Sequence, residues 1–260
     1  MKAVSLSSCM RSLWMLFLLA LGASGEEAKP KKSVPPSALL AIPFVIERGK
    51  TTSCIIRGQS LDTIEKITSV EGISVSITSK EEAKLPDGWK PEQLGDRKVT
   101  CEITVNESFP AESTTAALTL TSKAGEAANI DIAVAKTLID EKEPNPGFDK
   151  SQPIEIGQVL RGVIEKNKDV DVFKLEAKAD TLIEATVVAR QRTSALDPLL
   201  TLYDSNGFEH ARSDDATGSG RDATLKVTIP SSGSYFLVLQ DAHDTGSDAH
   251  VYLLRVTKRD

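Results

Sequence analysis

Three oxygen-bearing side chains alternate within one proline-restrained segment, LIDEKEPNPGFDKSQP (residues 138–153). Glu141, Glu143 and Asn145 stand at positions i, i+2 and i+4 of this segment. Because alternate residues of an extended chain face one side, we expect these groups to converge. Asp169 and Asp171, which begin the strand-like run DVDVF, could close the cage. Ca²⁺ takes about six to eight oxygen ligands, several of them carboxylates, so these residues form a candidate calcium site. The alternative is a solvated acidic linker.

Two other polar groups contain metal-ligand residue types. Asp214, Asp215 and Asp222 lie in the loop SDDATGSGRDA, where a cation site competes with a solvated hairpin loop, the simpler interpretation. The region from His243 to His250 lacks the i, i+4 histidine spacing of a helical zinc site, and its glycine indicates a loop. A metal-dependent hydrolase using this region is the weakest functional hypothesis.

Nucleophilic catalysis has no supporting motif in the sequence. The chain contains no Gly-x-Ser-x-Gly elbow, and its short strand-like runs offer no strand–turn–helix context to hold one. Its aromatic fraction is 5%, which gives no obvious sugar-stacking platform for a glycosidase. We therefore predict that the protein is not an enzyme.

Two cysteines remain once residues 1–25, which contain Cys9, are removed. Cys54 shares its period-two phase with Ile56, and Cys101 shares its phase with Ile103, so both thiols should be buried. In an oxidising compartment we expect a Cys54–Cys101 disulfide that joins one sheet to another. The alternative is a pair of buried free thiols.

The N-terminal residues have the pattern of a secretory signal. Lys2 and Arg11 precede the apolar run Leu13–Leu21, and the small residues at 23–25 suit a cleavage site. Residues 1–25 are therefore predicted to be a signal peptide, and the Pro/Lys-rich residues 26–41 an extended leader. We expect no transmembrane segment in the mature chain, since no later apolar run approaches the roughly 20 residues of a spanning helix. The protein should be exported to the periplasm or the medium.

The remaining sequence consists of short alternating runs separated by turns. Thr, Val and Ile dominate these runs, as half-buried pleated surfaces favour. We predict an all-β protein with an immunoglobulin-like β-sandwich over residues 42–137, an acidic Pro-rich linker over 138–153 and a second β-sandwich over 154–260. The formal net charge of −6 argues against a nucleic-acid partner.

The second half carries six short motifs in a characteristic order: Glu143-Pro144-Asn145, Asp169–Phe173, Leu196-Asp197-Pro198, Leu202-Tyr203-Asp204, Asp214-Asp215 and Gly233–Val238. In these motifs it resembles the bacterial pre-peptidase C-terminal (PPC) domain family over about residues 140–257. With the preceding Ig-like module, the arrangement resembles exported proteins of planctomycete-type bacteria.

This resemblance implies a non-catalytic, jelly-roll-like β-sandwich that accompanies secreted peptidases and serves substrate binding, matrix binding or export. Some members bind calcium through an acidic N-terminal segment that continues with a further acid after the Asn. Here Pro146 and Gly147 stand at that point, so one ligand of the family pattern is missing. No peptidase domain precedes the PPC-like half in this sequence, because residues 42–135 are too short and strand-rich for a protease.

The function that these observations favour is an exported, non-catalytic binding or adhesion module, stabilised by calcium. Its partner would be a protein or an extracellular polymer, on the envelope, in the matrix or among secreted proteins. The alternative is an accessory module that assists the secretion or latency of a separate peptidase.

Overall fold

The computed structural model describes residues 34–218 and 220–259, whose regular secondary structure is almost entirely β-strand. Val34–Asp260 make up one compact unit. The predicted signal peptide and most of the predicted leader lie outside the described residues. Strand β1 begins at Ser37, within the segment expected to be a leader, because Leu40 and Ala41 are buried in the core. No helix of the described part is long and apolar enough to cross a bilayer.

The first eight strands form two facing four-stranded sheets. They are β1 (Ser37–Ile42), β2 (Val45–Glu47), β3 (Thr51–Gln59), β4 (Ile64–Ser69), β5 (Ile73–Glu82), β6 (Arg97–Val105), β7 (Thr115–Ser122) and β8 (Ala127–Ala135). One sheet has the order β1-β3-β6-β5 and the other β2-β8-β7-β4. Short helices span Leu61–Thr63 (3₁₀) and Pro91–Leu94 (α1). Alternation in β6 sends Val99, Cys101, Ile103 and Val105 into the core, as the sequence pattern requires.

Ten further strands form two five-stranded sheets. They are β9 (Ile139–Asp140), β10 (Gln152–Pro153), β11 (Val159–Val163), β12 (Val170–Ala177), β13 (Leu182–Val188), β14 (Pro198–Asp204), β15 (Glu209–Ser213), β16 (Thr224–Thr228), β17 (Gly233–Asp241) and β18 (Val251–Arg259), with a 3₁₀-helix at Arg190–Arg192. The sheet orders are β10-β12-β17-β14-β15 and β16-β13-β18-β11-β9. The protein is therefore all-β and built from β-sandwiches.

The linker packs on the outer face of the second sandwich. Alternation in β17 directs Tyr235 into the core and Phe236 outward. The ring of Phe148 covers Phe236, with ring centroids 4.1 Å apart and planes nearly parallel. The linker is also held by Gln152, whose side-chain oxygen accepts a hydrogen bond from the Lys142 amide at 2.7 Å. These contacts fix the segment that carries Glu141, Glu143 and Asn145.

Polar contacts join the two sandwiches. Arg57, which is 2% exposed, donates to the Lys84 carbonyl at 2.7 Å and lies 3.4 Å from Asp248 of the second sandwich. Arg161 donates to the Val45 carbonyl at 2.9 Å. The guanidinium of Arg190 lies over the Trp89 ring, 5.2 Å from its centroid. Together these contacts define a cleft between the sandwiches.

The expected disulfide between two sheets is wrong in its geometry. Cys54 on β3 and Cys101 on β6 are directly opposed in the same sheet, and both are buried free thiols. Period-two alternation correctly places both thiols on the inward face. It contains no information on which strands pair, and here β6 pairs with β3 rather than facing it from the other sheet.

Candidate metal centre

The linker reaches both sheets of the second sandwich at one end. Strand β9 runs parallel to β11, so Glu141 follows it at the level of Gly162 and Val163, and the Glu141 amide donates to the Arg161 carbonyl at 2.9 Å. Farther along, the carbonyl of Asn145 accepts a hydrogen bond from the Val172 amide of β12 at 3.2 Å. Residues 141–145 therefore lie across the end of the sandwich, between β11 and β12.

Three carboxylates meet there. One oxygen each from Glu141, Glu143 and Asp171 lies within 4.8 Å of the other two. Asn145 lies among them, since its side-chain NH₂ donates to Glu141 Oε1 at 2.9 Å and its amide donates to Glu143 Oε2 at 3.1 Å. Four of the five predicted ligands thus converge. In the part of the chain that the structure describes, no basic side chain forms an ion pair with the three acids.

Asp169 stands outside this group. Its Oδ2 accepts a hydrogen bond from the Glu165 amide at 2.8 Å, and its Oδ1 lies 3.5 Å from the Lys166 ammonium. The side chain therefore closes the turn before β12. Its predicted role as a ligand finds no support in this arrangement.

Two buried oxygens of the cluster have no hydrogen-bond partner. They are Oδ1 of Asn145, a residue that is 1% exposed, and Oδ1 of Asp171, which is fully buried. A buried polar atom left unpaired costs about 1–3 kcal/mol. A cation bound among the carboxylates would give both oxygens a partner.

The electrostatics of the cluster agree with this interpretation. Burial, followed by the nearby carboxylate of Glu141, raises the pKa of Asp171 to about 10. The pKa of Glu143 is raised by burial and by the charges of Glu141 and Asp169, although its amide contact with Asn145 opposes the shift. The site therefore concentrates carboxyl groups whose ionisation is disfavoured in the absence of a cation.

The site also contains Tyr252 and Gly162, two residues that the sequence pattern did not indicate. The Tyr252 hydroxyl donates to Asp171 Oδ2 at 2.6 Å, and its own pKa is raised, first by burial and then by Asp171 and Glu141. A Cβ on Gly162 would come within 2.3 Å of the Tyr252 hydroxyl and 2.4 Å of Glu141 Oε2. A glycine inside a strand signals such a close approach. The apolar run VYLL carried no comparable signal for Tyr252.

The match to a known family lies in this half of the chain. Residues 169–241 match the model of the bacterial pre-peptidase C-terminal domain. This segment is therefore similar to that family. The expected resemblance is confirmed, and the matched residues include Asp171 of the cluster. No curated protein matches the chain.

Three similar solved structures are distant from this chain in sequence. The pre-peptidase C-terminal domain of a Bacillus anthracis collagenase is 15% identical, spans 45% of this chain and 100% of its own, and has a TM-score of 0.34. The periplasmic lysozyme inhibitor PliG of Aeromonas hydrophila is 15% identical over 47% of this chain and 96% of its own, with a TM-score of 0.31. The secreted serine protease VesC of Vibrio cholerae is 8% identical over 83% of this chain and 48% of its own, with a TM-score of 0.30. Similarities at this level carry no argument about function.

The acidic cluster opens onto the cleft between the sandwiches. A cavity of about 650 Å³ is lined there by Glu141, Glu143 and Tyr252 on one side and by residues 42–53 of the first sandwich on the other. The ligand-binding pockets of proteins fall in this size range. An ion held by the cluster would therefore be reachable from a pocket of ligand size.

A second acidic group already has a basic side chain beside it. Oxygens of Asp197, Asp214 and Asp215 lie within 4.8 Å of one another. Asp197 Oδ2, however, lies 3.1 Å from Arg221 and 3.6 Å from the His243 ring. Asp222, the third member of the predicted cluster, instead accepts hydrogen bonds from the backbone amides of Ala189 and Arg190 at 3.0 and 2.6 Å.

The two histidines of the weakest hypothesis do not converge. His243 is exposed beside Asp197, whereas His250 is buried with its ring nitrogens 2.8 Å from the Ser247 hydroxyl and 3.1 Å from the Thr245 hydroxyl. Burial lowers the pKa of His250. Within the described residues, neither histidine belongs to a group that could hold a metal ion.

Proposed function

We propose that the protein is an exported, non-catalytic binding or adhesion module whose PPC domain is stabilised by a calcium ion. The observation that carries the proposal is the convergence of Glu141, Glu143 and Asp171 around the unpartnered oxygens of Asn145 and Asp171. Every donor is a carboxylate or amide oxygen, the chemistry that hard cations select. Glu141, Glu143, Asn145 and Asp171 would hold the ion.

Calcium would act on the linker. Glu141, Glu143 and Asn145 belong to residues 138–153, whereas Asp171 belongs to β12 of the PPC domain. An ion bound by all four ties the linker to the sandwich and satisfies the charge that the cluster concentrates. Exported modules commonly bind calcium with dissociation constants of about 10⁻⁴–10⁻³ M, which suits a structural ion outside the cell.

The first sandwich supports a role in presentation rather than chemistry. Its sheet orders, β1-β3-β6-β5 and β2-β8-β7-β4, correspond to the ABED and GFC sheets of an immunoglobulin fold, with β2 added beside the last strand. We therefore propose that it is an Ig-like module. The partner would be a protein or an extracellular polymer, and the predicted signal sequence at residues 1–25 supports export to the periplasm or the medium.

Limited proteolysis tests the calcium role. The linker, residues 138–153, should be cleaved faster in EDTA than in about 1 mM CaCl₂, and a Glu143→Gln variant should lose that difference. Glu155→Gln, at an exposed acid outside the cluster, is the matched control and should keep it. Equal cleavage of the unaltered protein in both buffers would refute calcium stabilisation.

Capture from an envelope or medium extract addresses the partner. A stable surface protein or polymer supports adhesion. A transient complex with a peptidase would replace adhesion by the accessory role in peptidase secretion or latency.

A further inference from the structure

The cavity beside the acidic cluster has the features of a binding site for a neutral, hydroxyl-rich ligand. Its far side is the start of β3, where three consecutive hydroxyl residues, Thr51–Ser53, line the space. An apolar wall is formed by Ile42–Val45 together with Val163 and Val251. One polar edge and one apolar face are the two kinds of surface that a sugar ring presents.

Charge decides between a neutral and an anionic ligand. The two basic side chains of the lining are already paired: Lys50 lies 2.7 Å from Glu47, and Arg161 lies 2.5 Å from Asp140. Glu141, Glu143 and Glu165 remain, so the lining keeps a net negative charge even after one divalent cation binds. An acidic peptide would be repelled, whereas uncharged hydroxyl groups would not.

The cluster also leaves coordination positions for such a ligand. Calcium takes about six to eight oxygens. Several oxygens of the four candidate residues already accept hydrogen bonds within the protein. Both oxygens of Glu141 accept protein hydrogen bonds, from Asn145 Nδ2 and the Val163 amide, and one of Asp171 accepts from Tyr252. The remaining positions would face the cavity, because Glu141 and Glu143 line it.

We propose that this cavity binds a saccharide, and that a vicinal pair of its hydroxyl groups joins the coordination shell of the bound calcium ion. The inference rests on the proposed calcium site and extends it from a structural role to ligand recognition. Thr51–Ser53 hydrogen-bond the outer hydroxyls, and the apolar wall covers one face of the ring.

Saturation-transfer NMR on the full chain tests the proposal in two steps. Calcium binding is first measured alone by calorimetry. The methyl glycosides of glucose, galactose, mannose and fucose are then added in CaCl₂ or in EDTA, with 2-(hydroxymethyl)tetrahydropyran as a ring that lacks a diol. At least one glycoside should bind in CaCl₂ and bind about tenfold more weakly in EDTA, and the diol-free ring should not bind.

Variants separate the cavity from the ion. Ser53→Tyr fills the cavity and should abolish glycoside binding while calcium still binds. Ser76→Tyr, at an exposed serine in the same cross-strand row but outside the lining, should leave both unchanged. Calcium binding without glycoside binding overturns this inference and leaves the proposed calcium role standing. Glycoside binding that is equal in EDTA, or calcium-dependent binding of an acidic peptide instead, also overturns it. Absence of calcium binding refutes the calcium site itself.

Discussion

Replacing Asp171 by Asn should affect the stability of the metal-free protein and of the calcium-bound protein in opposite ways. In the metal-free protein this carboxyl is fully buried next to Glu141, which is why its pKa is raised to about 10. Asn has nearly the same shape, cannot ionise, and keeps an oxygen that can accept the hydrogen bond of Tyr252. We expect Asp171→Asn to stabilise the metal-free protein and to abolish its stabilisation by calcium.

The size of the stabilisation expected in the metal-free protein follows from the linkage between folding and proton binding. The unfolded carboxyl ionises near pH 4, whereas the native one stays protonated at pH 7, so folding takes up a proton. That uptake costs at most about 4 kcal/mol at pH 7, because each pKa unit is worth about 1.4 kcal/mol. Any native pKa well above 7 gives the same limit. Calcium at one hundred times its dissociation constant should stabilise the unaltered protein by about 2.7 kcal/mol.

Urea unfolding at pH 7 measures both effects. The unaltered protein should gain free energy of unfolding in CaCl₂, and Asp171→Asn should show equal values in CaCl₂ and EDTA, with the EDTA value at or above that of the unaltered protein. Asp149→Asn, at an exposed acid outside the cluster, is the control that should retain the response to calcium. A variant that still responds to calcium, or one that is strongly destabilised in EDTA, would refute the reasoning.

The acidic cluster and the cysteine pair give four further expectations. Calcium must displace the Asp171 proton, so its affinity should rise about tenfold per pH unit near neutrality. Without calcium, the contribution of Asp171 to the free energy of unfolding should fall as pH rises from about 4 towards its native pKa. Calorimetry at several pH values checks the calcium affinity, and urea unfolding at the same pH values checks the stability. A calcium affinity that does not change with pH would contradict the role of Asp171 as a ligand. Gly162→Ala should lower the free energy of unfolding by about 1–3 kcal/mol and weaken calcium binding, because the added Cβ meets the Tyr252 hydroxyl. A variant with unchanged unfolding and unchanged calcium titrations would show that the site tolerates the methyl group. Finally, Cys54 and Cys101 oppose each other in antiparallel strands, whose Cα spacing of about 4.5–5.5 Å suits a disulfide. Oxidised protein should therefore resist maleimide labelling under denaturing conditions until it is reduced, and full labelling before reduction would count against this bond.

Local periodicity was sufficient to predict much of this molecule. Alternation identifies the strands and the inward residues of β6, and spacing along the linker brings Glu141, Glu143 and Asn145 together. Pairing between distant strands is not encoded in alternation, which explains the error for Cys101. The role of Tyr252 was missed for the same reason, because its partner Asp171 lies 81 residues away.

A crystal grown with calcium, with diffraction recorded at a wavelength where calcium scatters anomalously, would locate the ion. We expect one anomalous peak per chain about 2.3–2.6 Å from oxygens of Glu141, Glu143, Asn145 and Asp171. Metal-free density at those four residues in calcium-saturated crystals, with the linker unchanged, would contradict it.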